Sequence, residues 1–419
     1  MKAEILATGD EIRSGALVDS NSAFIAERLE ENGIEVVRHT SVGDDLAILA
    51  ATLQEIGERV DVAVVTGGLG PTIDDRSAEA AARAAGVAQA FDARAFETVE
   101  RFFKTFHRPM TASNRKQALL PQGSEVLPNA VGTAPGFSLT IGSCRFFFLP
   151  GVPYEMKRML TEQVVPALLA MQGGVMPHSR VKTITTFGLP ESMAGEKVDG
   201  VEDAFPGILL GLRAHFPQIQ IKLYGRDMDG ERLSARLEEA GRWVAGRLGD
   251  HVVSIDGASM EAVVGHLLTA RSATLAVAES CTGGLVANWL TNVAGSSAYF
   301  LLSAVTYANA AKTDVLGVDP RTIDRFGAVS EETAREMAEG ARRVAGATYG
   351  LATSGIAGPD GGTAEKPVGT VCIGFAGPGA AFGRRFNFSF GRRLMNKKIF
   401  AMAALDLLRK EMMKDGQGG

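Results

Sequence analysis

The sequence predicts an α/β protein built from more than one domain. Three observations carry this expectation. At 419 residues the chain exceeds what one ordinary core accommodates. Short apolar runs that end in Gly- or Pro-rich turns alternate with helical patterns, the arrangement of a parallel sheet covered by helices. The composition, 46% hydrophobic and 22% charged, is that of a globular chain able to bury such sheets.

In order along the chain, residues 3–7, 62–66 and 145–149 read as strands. The stretch 21–32 reads as a helix, with Phe24, Ile25 and Leu29 on one stripe and Gly33 as its stop. Pro150-Gly151-Val152-Pro153 interrupts the pattern before a helix over 154–171, and Gln172-Gly173-Gly174 reads as a linker. A smaller α+β segment follows, with strands over 181–187 and 219–224 and a helix over 231–248. The last segment opens with a helix over 259–271. Its strands fall at 274–278, 349–354 and 369–375; a helix follows Ser330, and an amphipathic helix over 396–410 closes it. The Gly/Gln-rich tail 415–419 reads as disordered. The expected domains are 1–172, 178–256 and 259–415.

Net charge is −5 and the isoelectric point is near 5.8, which argues against a broad nucleic-acid or membrane-binding face. Cys144, Cys281 and Cys372 are odd in number and far apart, so they form neither a disulfide framework nor paired metal ligands. That usage fits a reducing cytosol. No basic-then-apolar leader pattern and no apolar run of spanning length is present, and a cytoplasmic protein is expected. The expected partners are small-molecule nucleotides and further copies of the same chain, with no nucleic acid and no membrane.

Two constellations carry chemistry. In the last segment, Ala278-Glu279-Ser280-Cys281-Thr282-Gly283-Gly284 lies between a strand and a helical run that begins at Leu285. Such a turn sets helix N-terminal amides beside the Ser280 hydroxyl, where they would hold a phosphate or an oxyanion. A plain Ser/Thr cap with a Gly turn explains the same run. Two further signals favour a site. Tyr307, Asn309 and Lys312 form a Tyr-x-Asn-x-x-Lys pattern, and a desolvated lysine is one base able to activate serine, with the tyrosine as relay. The loop from Ser354 through Gly355, Ala357, Gly358 and Pro359 to Gly362 also follows a strand, so the loops would converge on one crevice.

In the first segment, Gly67, Gly68 and Gly70 with Thr72, Asp74 and Asp75 follow a strand, and Asp10 and Asn21 stand in acidic-polar clusters near the start. Glycine turns cradle phosphates, and the paired carboxylates Asp74 and Asp75 suit a divalent cation bridging to a pyrophosphate. Thr72 or Asp74 would also cap the helix that runs through Ala85.

Residues 259–415 resemble the C-terminal domain of the competence/damage-inducible CinA proteins, a domain that also exists alone as nicotinamide mononucleotide deamidase. The resemblance runs through AESCTGG, TYANAAK, LGV, GAVSEE, SGIAGPDGGT and KPVGTV, in order. It implies hydrolysis of the nicotinamide carboxamide to a carboxylate and ammonia without a cofactor. It also implies Ser280, Tyr307 and Lys312 as the catalytic set, with Thr282, Gly283, Gly284, Asn309, Ser354, Gly355, Ala357, Gly358 and Arg393 around the substrate. Where that family often carries a second arginine four residues after Arg393, this chain has Lys397, which lacks the bidentate fork.

Residues 1–172 resemble the molybdopterin-binding (MoaB/MogA-like) domain in the form found at the CinA N-terminus, through GDE, DSN, VGDD, GGLGPTIDD, GTAPGF and LPGVP. Similar full-length proteins hydrolyse ADP-ribose with a divalent metal. The resemblance thus implies Gly67, Gly68, Gly70, Thr72, Asp10 and Asn21 around nucleotide, and Asp74 and Asp75 on metal. Residues 178–256, with Phe187-Gly188-Leu189-Pro190, resemble the KH-like middle domain of the same proteins, without an exposed GxxG flanked by basic residues. The expectation is a bifunctional pyridine-nucleotide recycling enzyme. The alternatives are a deamidase whose N-terminal domain only binds nucleotide, and a non-enzymatic competence-related scaffold.

Overall fold

A computed structural model describes residues 1–171, 173, 177–388 and 390–415. The expected linker at 172–174 and the tail after 415 therefore fall largely outside the described residues. The chain divides into two compact units, Met1–Arg180 with Gly225–Ser234, and Val181–Tyr224 with Ala235–Gly419.

The first unit is built on strands β1 (Lys2–Thr8), β2 (Glu35–Val42), β3 (Val62–Thr66), β4 (Gln89–Phe91), β5 (Leu119–Pro121), β6 (Glu125–Leu127), β7 (Gly136–Ile141) and β8 (Cys144–Leu149). Its main sheet has the order β2-β1-β3-β8-β7-β6. The first four strands are parallel, and β7 and β6 run antiparallel. The sheet is therefore mixed rather than wholly parallel, because β7 and β8 are joined by the tight turn at Gly142-Ser143, which permits only a hairpin. Every residue of β3 is buried, since helices cover both faces. One side packs Leu49, Leu53, Ala80 and Phe146, and the other packs Ile25, Leu29, Val62 and Met156.

The helix expected over 21–32 spans Ser20–Glu31, and Asp19 caps it by accepting from the Ser22 amide. The cap expected from Thr72 or Asp74 is corrected. That helix begins only at Ser77 and has no side-chain cap, because Asp75 turns back to accept from the amide and hydroxyl of Thr72. The helical run after Pro150 starts at Pro153 and passes through a π-helical turn, Leu160–Val164, to Met171.

The second unit holds two sheets. Strands β9 (His178–Phe187), β10 (Ile208–His215), β11 (Gln218–Asp227) and β12 (Val252–Ser254) form one, in the order β10-β11-β9-β12. Strands β13 (Leu275–Glu279), β14 (Phe300–Val305), β15 (Tyr349–Gly355), β16 (Thr370–Ala376) and β17 (Ala381–Asn387) form the other, in the order β14-β13-β15-β16-β17. Here β13 is parallel to both neighbours, while β16 and β17 are antiparallel. Pattern reading missed β10, β12, β14 and β17. All four are edge strands with few buried positions, so none shows a continuous buried apolar run. The last helix spans Arg393–Asp415, longer than expected, and its buried Phe400, Leu405 and Leu408 join the core with Met260 and Val264. No helix among the described residues is long and apolar enough to cross a membrane.

Candidate functional site

The parallel strands β13, β14 and β15 end at the same edge of their sheet, and the loops that leave them carry the C-terminal constellation. Ser280 follows β13 directly. The peptide joining it to Glu279 is held on both sides: the Ser280 amide donates to Thr353 O at 2.9 Å, and Glu279 O accepts from the Thr306 amide at 2.9 Å. The next strand over brings the helix Asn309–Leu316, which carries Lys312 inward.

Lys312 is 1% exposed. Its Nζ donates to Thr306 O at 2.9 Å and Tyr307 O at 3.2 Å, and lies 3.3 Å from Ser280 Oγ. Burial pushes its ammonium below the usual lysine range, and the Cys281 sulfur offsets this only in part. A neutral amine has two hydrogens and one lone pair. With both hydrogens on carbonyls, the lone pair is left for the Ser280 hydroxyl. The neighbouring Cys281 is buried, and burial pushes its thiol up to about 12, so no thiolate competes near neutral pH.

Several expected roles are corrected. Tyr307 is 61% exposed and its hydroxyl accepts from Arg393 Nη2 at 3.0 Å; its main-chain carbonyl, not its phenol, meets Lys312. It therefore does not bridge serine and lysine. The amides at the start of the helix Leu285–Thr291 do not face a substrate. Those of Gly284, Val286 and Ala287 are taken by the carboxylate of Glu279, at 2.9, 3.2 and 2.9 Å. Among the described residues the amides of Thr282 and Gly283 have no such partner. The Thr282 hydroxyl is buried against Thr353 Oγ1 at 2.7 Å, closed to a ligand. Asn309 is exposed at the helix start.

The second loop is pinned to the last helix. Asn396, fully buried, donates to Ala357 O at 3.0 Å, and Arg393 Nη1 donates to Gly358 O at 2.7 Å. Gly358 is required here: its φ is +83°, and a Cβ would stand 2.6 Å from Val368 Cγ1. Gly355 precedes it at the end of β15, and Ser354 is buried, its hydroxyl donating to Ala328 O at 2.6 Å. Lys397, one turn after Arg393, reaches the other loop. A Cβ on Gly283 would lie 3.4 Å from its Nζ. Among the described residues Lys397 has no acidic partner, so an ammonium stands free beside the Ser280 turn.

In the first unit a cleft of about 380 Å³ opens at the carboxyl ends of β1 and β3. Asn21, Gly67, Gly68, Gly70, Asp74 and Asp75 line it; Thr72 and Asp10 do not. Gly67 has φ +108°, and a Cβ there would stand 2.6 Å from Thr8 O, so glycine alone lets the loop pass β1. Asn21 props the floor, donating to Thr66 Oγ1 at 3.0 Å and Gly151 O at 2.8 Å. Asp10 pairs instead with Arg13 at 3.0 Å.

Of the expected metal carboxylates, Asp75 fits poorly, because Thr72 occupies its Oδ2. Asp74 is exposed at the cleft and has Asp44 and Glu11 as neighbours in the lining. Burial raises the Asp44 carboxyl, and the charges of Asp10, Glu11 and Asp74 add to that rise against the lowering by the Asp10 amide. That accumulated charge suits a cation, although among the described residues no group of three or more His, Cys, Asp or Glu is arranged to hold one. Mg²⁺ needs only one or two carboxylates when phosphates supply other ligands. Sequence reasoning quoted Asp44 only as part of the VGDD motif, without a role, and missed Glu155, a buried carboxyl in the same cleft, raised by burial and bound by Asn129 Nδ2 at 2.6 Å.

The fold and the two sites define an α/β protein that joins a molybdopterin-binding-type domain to a second α/β domain with a buried serine–lysine contact. Family models agree: residues 4–170 match the probable molybdopterin binding domain, and residues 257–412 match the CinA C-terminal domain. A CinA-like protein of Desulfosudis oleivorans is 53% identical over 99% of this chain and 100% of its own length. One from Desulforapulum autotrophicum is 48% identical over 99% of both. The chain belongs to the CinA family. A solved structure from Thermoplasma acidophilum, titled as the protein CinA with unknown function, is 33% identical, covering 39% of this chain and 99% of its own with a TM-score of 0.37.

Proposed function

We propose that the C-terminal part of this protein is an amidohydrolase that converts nicotinamide mononucleotide to nicotinate mononucleotide and ammonia. The observation that carries the reading is the Lys312 Nζ 3.3 Å from Ser280 Oγ, buried and, among the described residues, in no ion pair with a carboxylate. The neutral amine takes the Ser280 proton as Oγ attacks the carboxamide carbon. The free amides of Thr282 and Gly283 are the donors nearest to hand for the oxyanion. Collapse expels ammonia, which leaves with the proton from Lys312 and forms a seryl ester. Water then adds to the ester with Lys312 as base, and Ser280 regains its proton as the carboxylate departs. The free ammonium of Lys397 and the guanidinium of Arg393 supply positive charge for the substrate phosphate.

The test is ammonia release from nicotinamide mononucleotide by wild type and by Ser280→Ala, with circular dichroism as the folding control. Full activity in the variant would refute the assignment.

A second activity, metal-dependent hydrolysis of ADP-ribose, is proposed for the N-terminal cleft on the observation that the charges of Asp10, Glu11 and Asp74 gather around Asp44. Asp74 and Asp44 would hold a divalent cation, which when bound would neutralise pyrophosphate charge. The loop Gly67–Gly70 would pass the phosphates close to the backbone, with the Lys116 ammonium held nearby on Thr72 O. Product analysis with ADP-ribose, with and without Mg²⁺, separates this reading from a nucleotide-binding domain or a scaffold without catalysis.

A further inference from the structure

We propose that Glu279 is a positioning residue whose buried carboxylate holds the nucleophile turn in register with Lys312; the inference rests on the assignment of Ser280 as nucleophile. Glu279 is 0% exposed. A buried carboxylate is tolerated only where donors replace its water. Four do so here. Oε2 accepts from the amides of Gly284 and Val286, and Oε1 accepts from the amide of Ala287 and from Ser303 Oγ at 3.3 Å. The side chain therefore ties the residues after Ser280 to β14, which leads into Thr306 and Lys312.

The same residue is fixed through its backbone. Glu279 O accepts from the Thr306 amide, and Thr306 O in turn accepts from Lys312 Nζ. Ser280 and Lys312 are thus referred to one another through two routes that both begin at Glu279. A second consequence follows. Because the protein's own carboxylate fills the start of the helix Leu285–Thr291, a substrate anion is directed to Lys397 and Arg393 instead.

A glutamine cannot replace this carboxylate. Placed at Oε1, its amide nitrogen opposes the Ala287 N–H; placed at Oε2, it opposes those of Gly284 and Val286. Either way donor meets donor, and the turn must shift. A displacement of about 1 Å at a reacting group costs on the order of 100-fold in rate.

The experiment measures two things on full-length protein: the rate at which a serine-directed fluorophosphonate labels Ser280, located by mass spectrometry, and kcat and KM for ammonia release from nicotinamide mononucleotide. For folded Glu279→Gln, labelling and kcat are expected to fall by about 100-fold while KM stays within about threefold. Ser303→Ala, which removes one of the four donors, is expected to give a smaller fall of the same kind and serves as the test if Glu279→Gln does not fold. A purely structural cap would lower the melting temperature but leave the folded protein labelling at the wild-type rate. That result overturns the inference and leaves the nucleophile assignment standing. A wild type that neither labels at Ser280 nor releases ammonia removes both.

Discussion

The Lys312 amine lies 3.3 Å from the Ser280 hydroxyl, and its other two contacts are main-chain carbonyls, those of Thr306 and Tyr307. A lysine so placed has acceptors for its hydrogens but, among the described residues, no ion pair with a carboxylate to keep it charged. The pair is thus arranged for proton transfer rather than for an ion pair.

Ser280→Ala and Lys312→Ala are expected to lose deamidation to similar extents, each by about a thousandfold or more, because groups acting as a unit are not additive. Cys281→Ala should remain active, since its thiol is buried and held protonated. Ammonia release by the three variants, with melting curves to confirm folding, checks this. Loss confined to Cys281→Ala would move the nucleophile by one residue.

The lowered Lys312 pKa has two pH signatures of fixed sign. Activity should rise with pH as the amine loses its proton, with a midpoint below the ordinary lysine value of 10.5. Between that midpoint and 10.5 the unfolded chain binds more protons at this site than the folded one, so the contribution to stability increases with pH and is complete above 10.5. Denaturant titrations of wild type and Lys312→Met across that window should show the wild type gaining stability relative to the variant as pH rises. A flat difference would mean that burial does not shift the group.

Lys397→Ala should raise KM for nicotinamide mononucleotide by about tenfold, the scale of one charge-assisted contact. It should leave kcat and the turnover of nicotinamide riboside, which has no phosphate, nearly unchanged. Equal effects on both substrates would show that the ammonium beside Gly283 does not serve the phosphate.

Excess chelator should leave deamidation intact and abolish any ADP-ribose hydrolysis. Asp74→Ala should do the same selectively, because the two sites lie in separate compact units with separate core clusters and share no partner residue. Deamidation lost on chelation and restored by metal would replace the serine mechanism with a metal-bound water.

The sequence by itself determined the α/β class, the buried strands that open on apolar residues, such as Val62–Thr66 and Tyr349–Gly355, and the turns that follow them. A buried parallel strand is apolar over most of its length, and its turn uses glycine where φ is positive, so both are written in residue type. The edge strands β14 and β17 were not legible, because half-exposed strands lack that signature. Family motifs directed attention to Ser280, Tyr307 and Lys312, but only the tertiary structure decided how they meet. Lys312 comes to the serine, whereas the Tyr307 phenol turns to Arg393. The motif glutamate at 279, not a ligand, takes three amides of the following helix start. Thr306 opens the TYANAAK motif, but its role was not legible, since it acts through its carbonyl, which every residue possesses. Residue type sets what a side chain is able to do. Which partner it meets depends on the register of neighbouring strands and on which donors burial leaves unpaired, and those are properties of the assembled sheet.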